Sequence, residues 1–102
     1  MSRWFETALQ HYLELASAPK DSTKYQLFIK MTSAIRQIES RPSLGELLPE
    51  KPAIINGIRP TSYRLYSDPQ GSFRLAYAVL ERPNKEVEIQ IENIYLEQSP
   101  LN

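Results

Sequence analysis

Apolar residues recur at three- and four-residue spacing through about the first 40 positions and give way, beyond Pro60, to alternation. The two periods mark helices and strands respectively. In the first segment Phe5, Ala8, Leu9, Tyr12, Leu15 and Ala16 fall on one stripe. That predicts a helix over 2–17, with Ser2 as its cap and Ala18-Pro19-Lys20 as its end. A second stripe, Leu27 or Phe28, Met31, Ala34 or Ile35, and Ile38, predicts a helix over 22–40, opened by Asp21 or Ser22. Pro42 disfavours helical backbone at Arg41 and so closes it. A link of about five residues between the two predicts an antiparallel helical hairpin.

From Arg41 to Pro60 the chain is punctuated by Pro42, Gly45, Pro49, Pro52, Gly57 and Pro60, which predicts a long connection with little regular structure. Ala53-Ile54-Ile55 could supply one short strand within it. Three strands are predicted next, over 61–66, 72–81 and 86–95. Ser67-Asp68-Pro69-Gln70-Gly71 and Arg82-Pro83-Asn84-Lys85 are the turns between them. Phe73, Leu75, Tyr77 and Val79 share one face, as do Val87, Ile89 and Ile91. The expected architecture is a single α+β domain over 1–102. Its N-terminal helical hairpin packs on one face of a three- to four-stranded antiparallel sheet. The expected core includes Phe5, Leu9, Phe28, Ile35, Leu75, Tyr77, Val79, Ile89 and Ile91.

Strand register can be proposed from matched burial, because directly opposed residues share a face. Setting Val79 opposite Val87, Tyr77 opposite Ile89 and Leu75 opposite Ile91 brings Arg74 to Glu92. Setting Leu65 opposite Phe73 brings Arg64 to Arg74. The solvent face would then carry a row of Arg64, Arg74 and Glu92. Beside it would lie Ser62, Ala76 and Gln90 on one side, and Tyr66, Ser72 and Ile94 on the other. Two neighbouring guanidiniums point to an anion or phosphate site, since their planar forks donate paired hydrogen bonds. The plainer alternative is a solvated face with one Arg74–Glu92 pair, an interaction worth below about 1 kcal/mol when exposed.

Composition narrows the chemistry. The 102 residues carry 12 basic and 12 acidic side chains, for a net charge of zero. Tight binding of nucleic acid through phosphates usually needs a basic excess. The charge is uneven, however. Lys51, Arg59 and Arg64 lie in a stretch without acids, whereas Glu81, Glu86, Glu88, Glu92 and Glu97 fill the final third. There is no cysteine and His11 is the only histidine, so thiolate and multi-histidine metal sites are excluded. No apolar run is long enough for a membrane span, and Met1-Ser2-Arg3-Trp4-Phe5-Glu6 does not open a secretory signal, so a cytoplasmic protein is expected.

No Gly-rich phosphate loop, catalytic carboxylate pair or nucleophile–base–orienter set is visible, and neither cofactor nor metal is expected. His11 reads as a surface histidine, and Trp4 and Phe5 as anchors of the first helix. Tyr95 reads as a core aromatic, with a polar tip at the edge of a site as the other option.

From Tyr25 to Tyr95 the chain resembles the RelE/ParE superfamily of bacterial toxins. Pro42-x-x-Gly45-x-x-Leu48 resembles that family's passage from helix to sheet. Tyr63-Arg64-Leu65 with Phe73-Arg74-Leu75-Ala76-Tyr77 resembles its hairpin of Tyr-Arg-Leu and Tyr-Arg-x-x-Tyr. The resemblance implies a small cytoplasmic toxin neutralised by an antitoxin protein. Relatives of the RelE kind cut mRNA on the ribosome with no metal or cofactor, using basic side chains and in some cases a tyrosine. Those of the ParE kind inhibit gyrase. Arg64 and Arg74 match the family's basic positions, with Tyr66 where a second base would stand and Tyr95 as a further candidate. The chain departs from the family pattern in three ways. Met1-Ser2-Arg3-Trp4 is short for the family's opening strand, Asn93-Ile94-Tyr95-Leu96-Glu97 has no base, and the net charge is neutral. On these grounds ribosome-dependent mRNA cleavage is expected to be slow or absent. A non-catalytic protein-binding module of RelE-like fold is the competing expectation.

Overall fold

The computed structural model describes residues 2–49, 57, 59–81, 83 and 86–96, with side chains described from Trp4 onward. The chain runs β1 (Ser2–Trp4), α1 (Glu6–Ala16), α2 (Thr23–Ser40), a 3-10 turn (Pro42–Leu44), β2 (Glu46–Leu47), β3 (Ser62–Ser67), β4 (Phe73–Glu81) and β5 (Val87–Leu96). The strands form one sheet in the order β1-β5-β4-β3-β2. Four of them are antiparallel neighbours, and β1 joins the β5 edge in parallel. Two helices on an antiparallel sheet is the α+β architecture the patterning predicts.

The start of the chain differs from expectation. Ser2 does not cap a helix; Ser2, Arg3 and Trp4 pair with Ile89, Gln90 and Ile91. The Phe5 amide continues the ladder to the Ile91 carbonyl at 2.8 Å. The edge of β5 has backbone groups to satisfy, and pairing there outweighs helical continuation over three residues. Helix α1 therefore begins at Glu6, with Phe5 in extended backbone and no side-chain cap. The buried stripe of α1 is narrower than expected. Ala8 and Leu15 are buried and Tyr12 half-buried, while Phe5 is 54% and Leu9 37% exposed, so neither belongs to the core as expected.

Helix α2 behaves as its signals predict. Ser22 Oγ accepts from the Tyr25 amide at 3.2 Å, and the backbone leaves helical geometry at Arg41, before Pro42. Met31, Ala34, Ile35 and Ile38 are buried against Phe73, Leu75, Tyr77, Val79, Ile89, Ile91 and Ile94. An aromatic series ties the layers together: Trp4 stacks on Tyr12 at 4.6 Å between centroids, and Tyr12 meets Phe28 at 5.0 Å. The Tyr12 hydroxyl also bonds Thr32 Oγ1. No helix among the described residues is long and apolar enough to cross a membrane.

The connection after α2 is more ordered than its prolines suggest, since it contains the 3-10 turn and β2. The strand expected at Ala53-Ile54-Ile55 lies outside the described residues.

The register differs from the proposed one at both strand pairs. Leu65 faces Ala76 rather than Phe73, a shift of three positions. An odd shift exchanges the two faces of a strand. The turn accommodates the shift. The Asp68 amide bonds the Phe73 carbonyl at 3.0 Å and the Gly71 amide the Asp68 carbonyl at 2.8 Å, with Gly71 at φ 76°, where a glycine is favoured. Ser67 thus pairs with Arg74. Between β4 and β5, Val79 faces Ile89 rather than Val87, a shift of two that leaves the faces unchanged. A bulge follows: Tyr77 faces Ile91 but Ala76 faces Asn93, so Glu92 is the extra residue. Beyond it Ile94, not Asn93, points to the core, and Arg74 lies opposite Tyr95, not Glu92.

Candidate functional site

The odd shift separates the two arginines. Arg64 faces Tyr77 and Tyr66 faces Leu75, so both lie on the helix side of the sheet with the core residues of β4. Arg74 projects from the other face, beside Tyr95. The expected row of Arg64, Arg74 and Glu92 is therefore not formed, and the paired-guanidinium site is overturned. Of the four candidate residues, Arg74 and Tyr95 are opposed across strands, while Arg64 and Tyr66 share the other face of the sheet.

Arg64 is occupied with local structure. Its Nη1 donates to the Gly45 carbonyl at 2.8 Å and to the Ser43 carbonyl at 3.3 Å. The same turn is held from inside the core by Tyr77. The Tyr77 hydroxyl donates to the Pro42 carbonyl at 2.7 Å and accepts from the Gly45 amide at 2.8 Å. A Cβ on Gly45 would lie 2.8 Å from that hydroxyl oxygen and 2.9 Å from the ring. Glycine is needed here for close approach, because its φ of −76° suits any residue. Burial raises the Tyr77 pKa, only partly offset by the Gly45 hydrogen bond and the nearby Arg64 charge, so the phenol remains a donor. The Pro-x-x-Gly spacing thus has a physical basis: it presents one carbonyl and one amide to a single buried hydroxyl.

Tyr66 packs near Phe73, with ring centroids 6.2 Å apart, and is half-buried against the core. Burial, and secondarily the charge of Asp68, raises its pKa. A tyrosine held more firmly protonated than usual is poorly suited to act as a base. Tyr95, by contrast, is 47% exposed and is not the core aromatic expected. The bulge at Glu92 shifts the alternation and turns it outward. His11 is half-buried on α1.

The face away from the helices holds two adjoining hollows. One, of about 240 Å³, is lined by Leu48, Tyr63, Ala76, Glu92, Asn93 and Tyr95, together with part of Tyr77. The other, of about 280 Å³, is lined by Leu48, Leu65, Arg74, Ala76 and Tyr95. Ala76 gives both a low floor, and Tyr95 and Leu48 border both. In the first hollow the Glu92 carboxylate accepts from the Tyr63 hydroxyl at 3.4 Å and from Gln90 Nε2 at 3.3 Å. Asn93 Nδ2 donates to the Tyr95 hydroxyl at 3.2 Å. Leu48, Tyr63 and Asn93 were not legible as site residues. Tyr63 stood out only as the neighbour of Arg64, and the bulge that positions Asn93 leaves no mark in the alternation before it.

Among the described residues no group of three His, Cys, Asp or Glu side chains gathers to hold a metal. The arrangement can bind, through an apolar floor with polar walls, but among the described residues it does not converge two cations on one point. No protein-family model matches the chain, and neither curated proteins nor solved structures yield a significant match.

Proposed function

We propose that the protein is a RelE/ParE-like toxin of a bacterial toxin–antitoxin pair that acts in the cytoplasm by binding a macromolecular target, with ribosome-dependent mRNA cleavage slow or absent. The observation that carries the expectation of weak chemistry is the separation of Arg64 and Arg74 onto opposite faces of the sheet. Metal-free phosphodiester cleavage needs preorganised positive charge where charge develops in the transition state, usually the largest catalytic contribution. Here Arg64 is bonded to two carbonyls, and Tyr66 lies on the helix side with a raised pKa. The opening strand β1, which the sequence did not suggest, supports the resemblance, as do the two helices on an antiparallel sheet.

A non-catalytic binding module of the same fold is the second reading. The acceptor-lined hollow, which among the described residues offers no cation to a phosphate, favours it. Induced expression in bacteria separates the two, with growth followed beside ribosome co-sedimentation and primer-extension mapping of messages. Growth arrest without codon-positioned cuts supports the first reading. Rapid cuts comparable to those of a basic RelE-type toxin would overturn the claim of weak chemistry. Undisturbed growth, with no ribosome association, leaves the binding module.

A further inference from the structure

Among the described residues, the hollow beside Glu92 offers hydrogen-bond acceptors and no cation. Glu92 is half-buried, and among the described residues its carboxylate meets two neutral donors, Tyr63 and Gln90, both at long distances. Asn93 uses its Nδ2 on Tyr95, which leaves its carbonyl oxygen as an acceptor. No lysine or arginine lines this hollow among the described residues. A carboxylate in such surroundings attracts a positive group, and hydrogen bonds to charged partners are roughly twice as strong as neutral ones. Two tyrosines, Tyr63 and Tyr95, line the same space, and aromatic faces add attraction for a cation. Leu48 and Ala76 supply apolar surface for an aliphatic stem.

We propose that this hollow receives an arginine side chain from a partner protein. Its guanidinium would be bound by Glu92 and the Asn93 carbonyl oxygen, between Tyr63 and Tyr95. Arginine fits better than lysine because a planar fork can meet two acceptors on neighbouring residues at once and stack on an aromatic ring. The bulge makes this possible. The extra residue in β5 sets Glu92 and Asn93 side by side on one face, where strict alternation would send them to opposite faces. Charge complementarity therefore selects a basic segment of the partner at this point of the sheet.

The inference rests on the reading of this sheet face as a binding surface and deepens it. The test is a titration of the isotopically labelled full chain, followed by amide and side-chain NMR, with acetyl-Gly-Arg-Gly-amide. The same peptide with citrulline in place of arginine is the neutral control. The expected result is a set of shifts centred on Tyr63, Glu92, Asn93 and Tyr95 with the arginine peptide. The citrulline peptide, or the Glu92→Gln variant, should bind about tenfold more weakly or worse. Tyr63→Phe keeps the ring and frees a carboxylate oxygen, so it should bind at least as well as the natural chain. That variant also serves as the check if Glu92→Gln is poorly folded.

Equal binding of the citrulline peptide, no shifts at millimolar peptide, or loss of binding in Tyr63→Phe would overturn the proposal. Guanosine producing the same Glu92-dependent shifts would also overturn it, by making a nucleic-acid base the occupant. Growth arrest in cells combined with no arginine binding would remove this inference and leave the toxin reading standing. Arginine binding without growth arrest would do the reverse.

Discussion

On the helix side of the sheet, β4 projects Phe73, Leu75, Tyr77 and Val79, each at most 8% exposed and packed under α2. On the other side the same strand presents Arg74 and Ala76 beside open hollows, and only toward its end do Ala78 and Leu80 become buried. The polar groups of the two faces are used differently. On the helix side, Tyr77 and Arg64 spend their hydrogen bonds on the carbonyls and amide of residues 42–45. Across the sheet, Glu92 and Asn93 bond only to side chains nearby, by contacts of 3.2 Å or longer. Bonds to backbone fix a fold, whereas bonds between side chains that line a hollow leave capacity for a ligand. The contrast assigns structure to one arginine and availability of surface to the opposite face.

The sharpest way to break this comparison is to truncate residues on each face. Leu75→Ala leaves a void in the fully enclosed layer and should cost about 2–5 kcal/mol in urea denaturation. Leu65→Ala, half-buried on the other face, should cost clearly less. Equal losses would mean that both faces are cores.

Next in size is the clamp on the Pro-x-x-Gly turn. Tyr77→Phe strips the hydroxyl from a buried acceptor and donor, and should destabilise by about 1–3 kcal/mol. Gly45→Ala forces a methyl against the same ring and should cost a similar amount, about 1–3 kcal/mol. If the two effects share one cause, the double variant should lose less than their sum, a coupling that a double-mutant cycle measures directly. Full additivity would separate the glycine from the tyrosine.

Arg64 and Arg74 offer a direct contrast. Arg64→Ala should lower the unfolding midpoint measurably, because its hydrogen bonds hold residues 43 and 45. Arg74→Ala, on an exposed position of the opposite face, should change stability by no more than about 0.5 kcal/mol. The reverse order would contradict the assignment of Arg64 to structure.

The smallest effect concerns acid. Burial alone would raise the Asp68 pKa, but the Ser72 amide at 3.1 Å and Lys30, 3.4 Å away, outweigh it and hold the carboxyl below its ordinary value. A lowered folded-state pKa adds stability that is fully present above the ordinary carboxylate range. It is lost as pH falls through the folded value. The chain should therefore be more stable than Asp68→Asn at neutral pH, and the two should converge in strong acid. Parallel pH profiles in urea melts would show that the Lys30 contact contributes nothing to folding.

The alternation of Phe73 to Val79 and the stripe of α2 were readable from order alone, because each depends only on neighbours within a few positions. The same is true of the Ser22 cap and of the helix end before Pro42. The α+β architecture follows from these local periods, since apolar stripes and alternating faces have few ways to cover one another.

What local order could not fix was parity between strands. A hairpin paired three positions away satisfies alternation just as well until the other layer is present, and that shift decides which face Arg64 occupies. The bulge at Glu92 and the recruitment of Ser2–Trp4 to β5 likewise arise from contacts between segments far apart in the chain. So the sequence by itself determined helix α2, the three long strands with most of the core between them, and the absence of thiol chemistry. Only the tertiary structure decided that Arg74 meets Tyr95, that Arg64 serves the turn, and that Glu92 faces an open hollow. Register is a choice between near-equal local pairings, settled by the energy of packing the whole sheet against its helices.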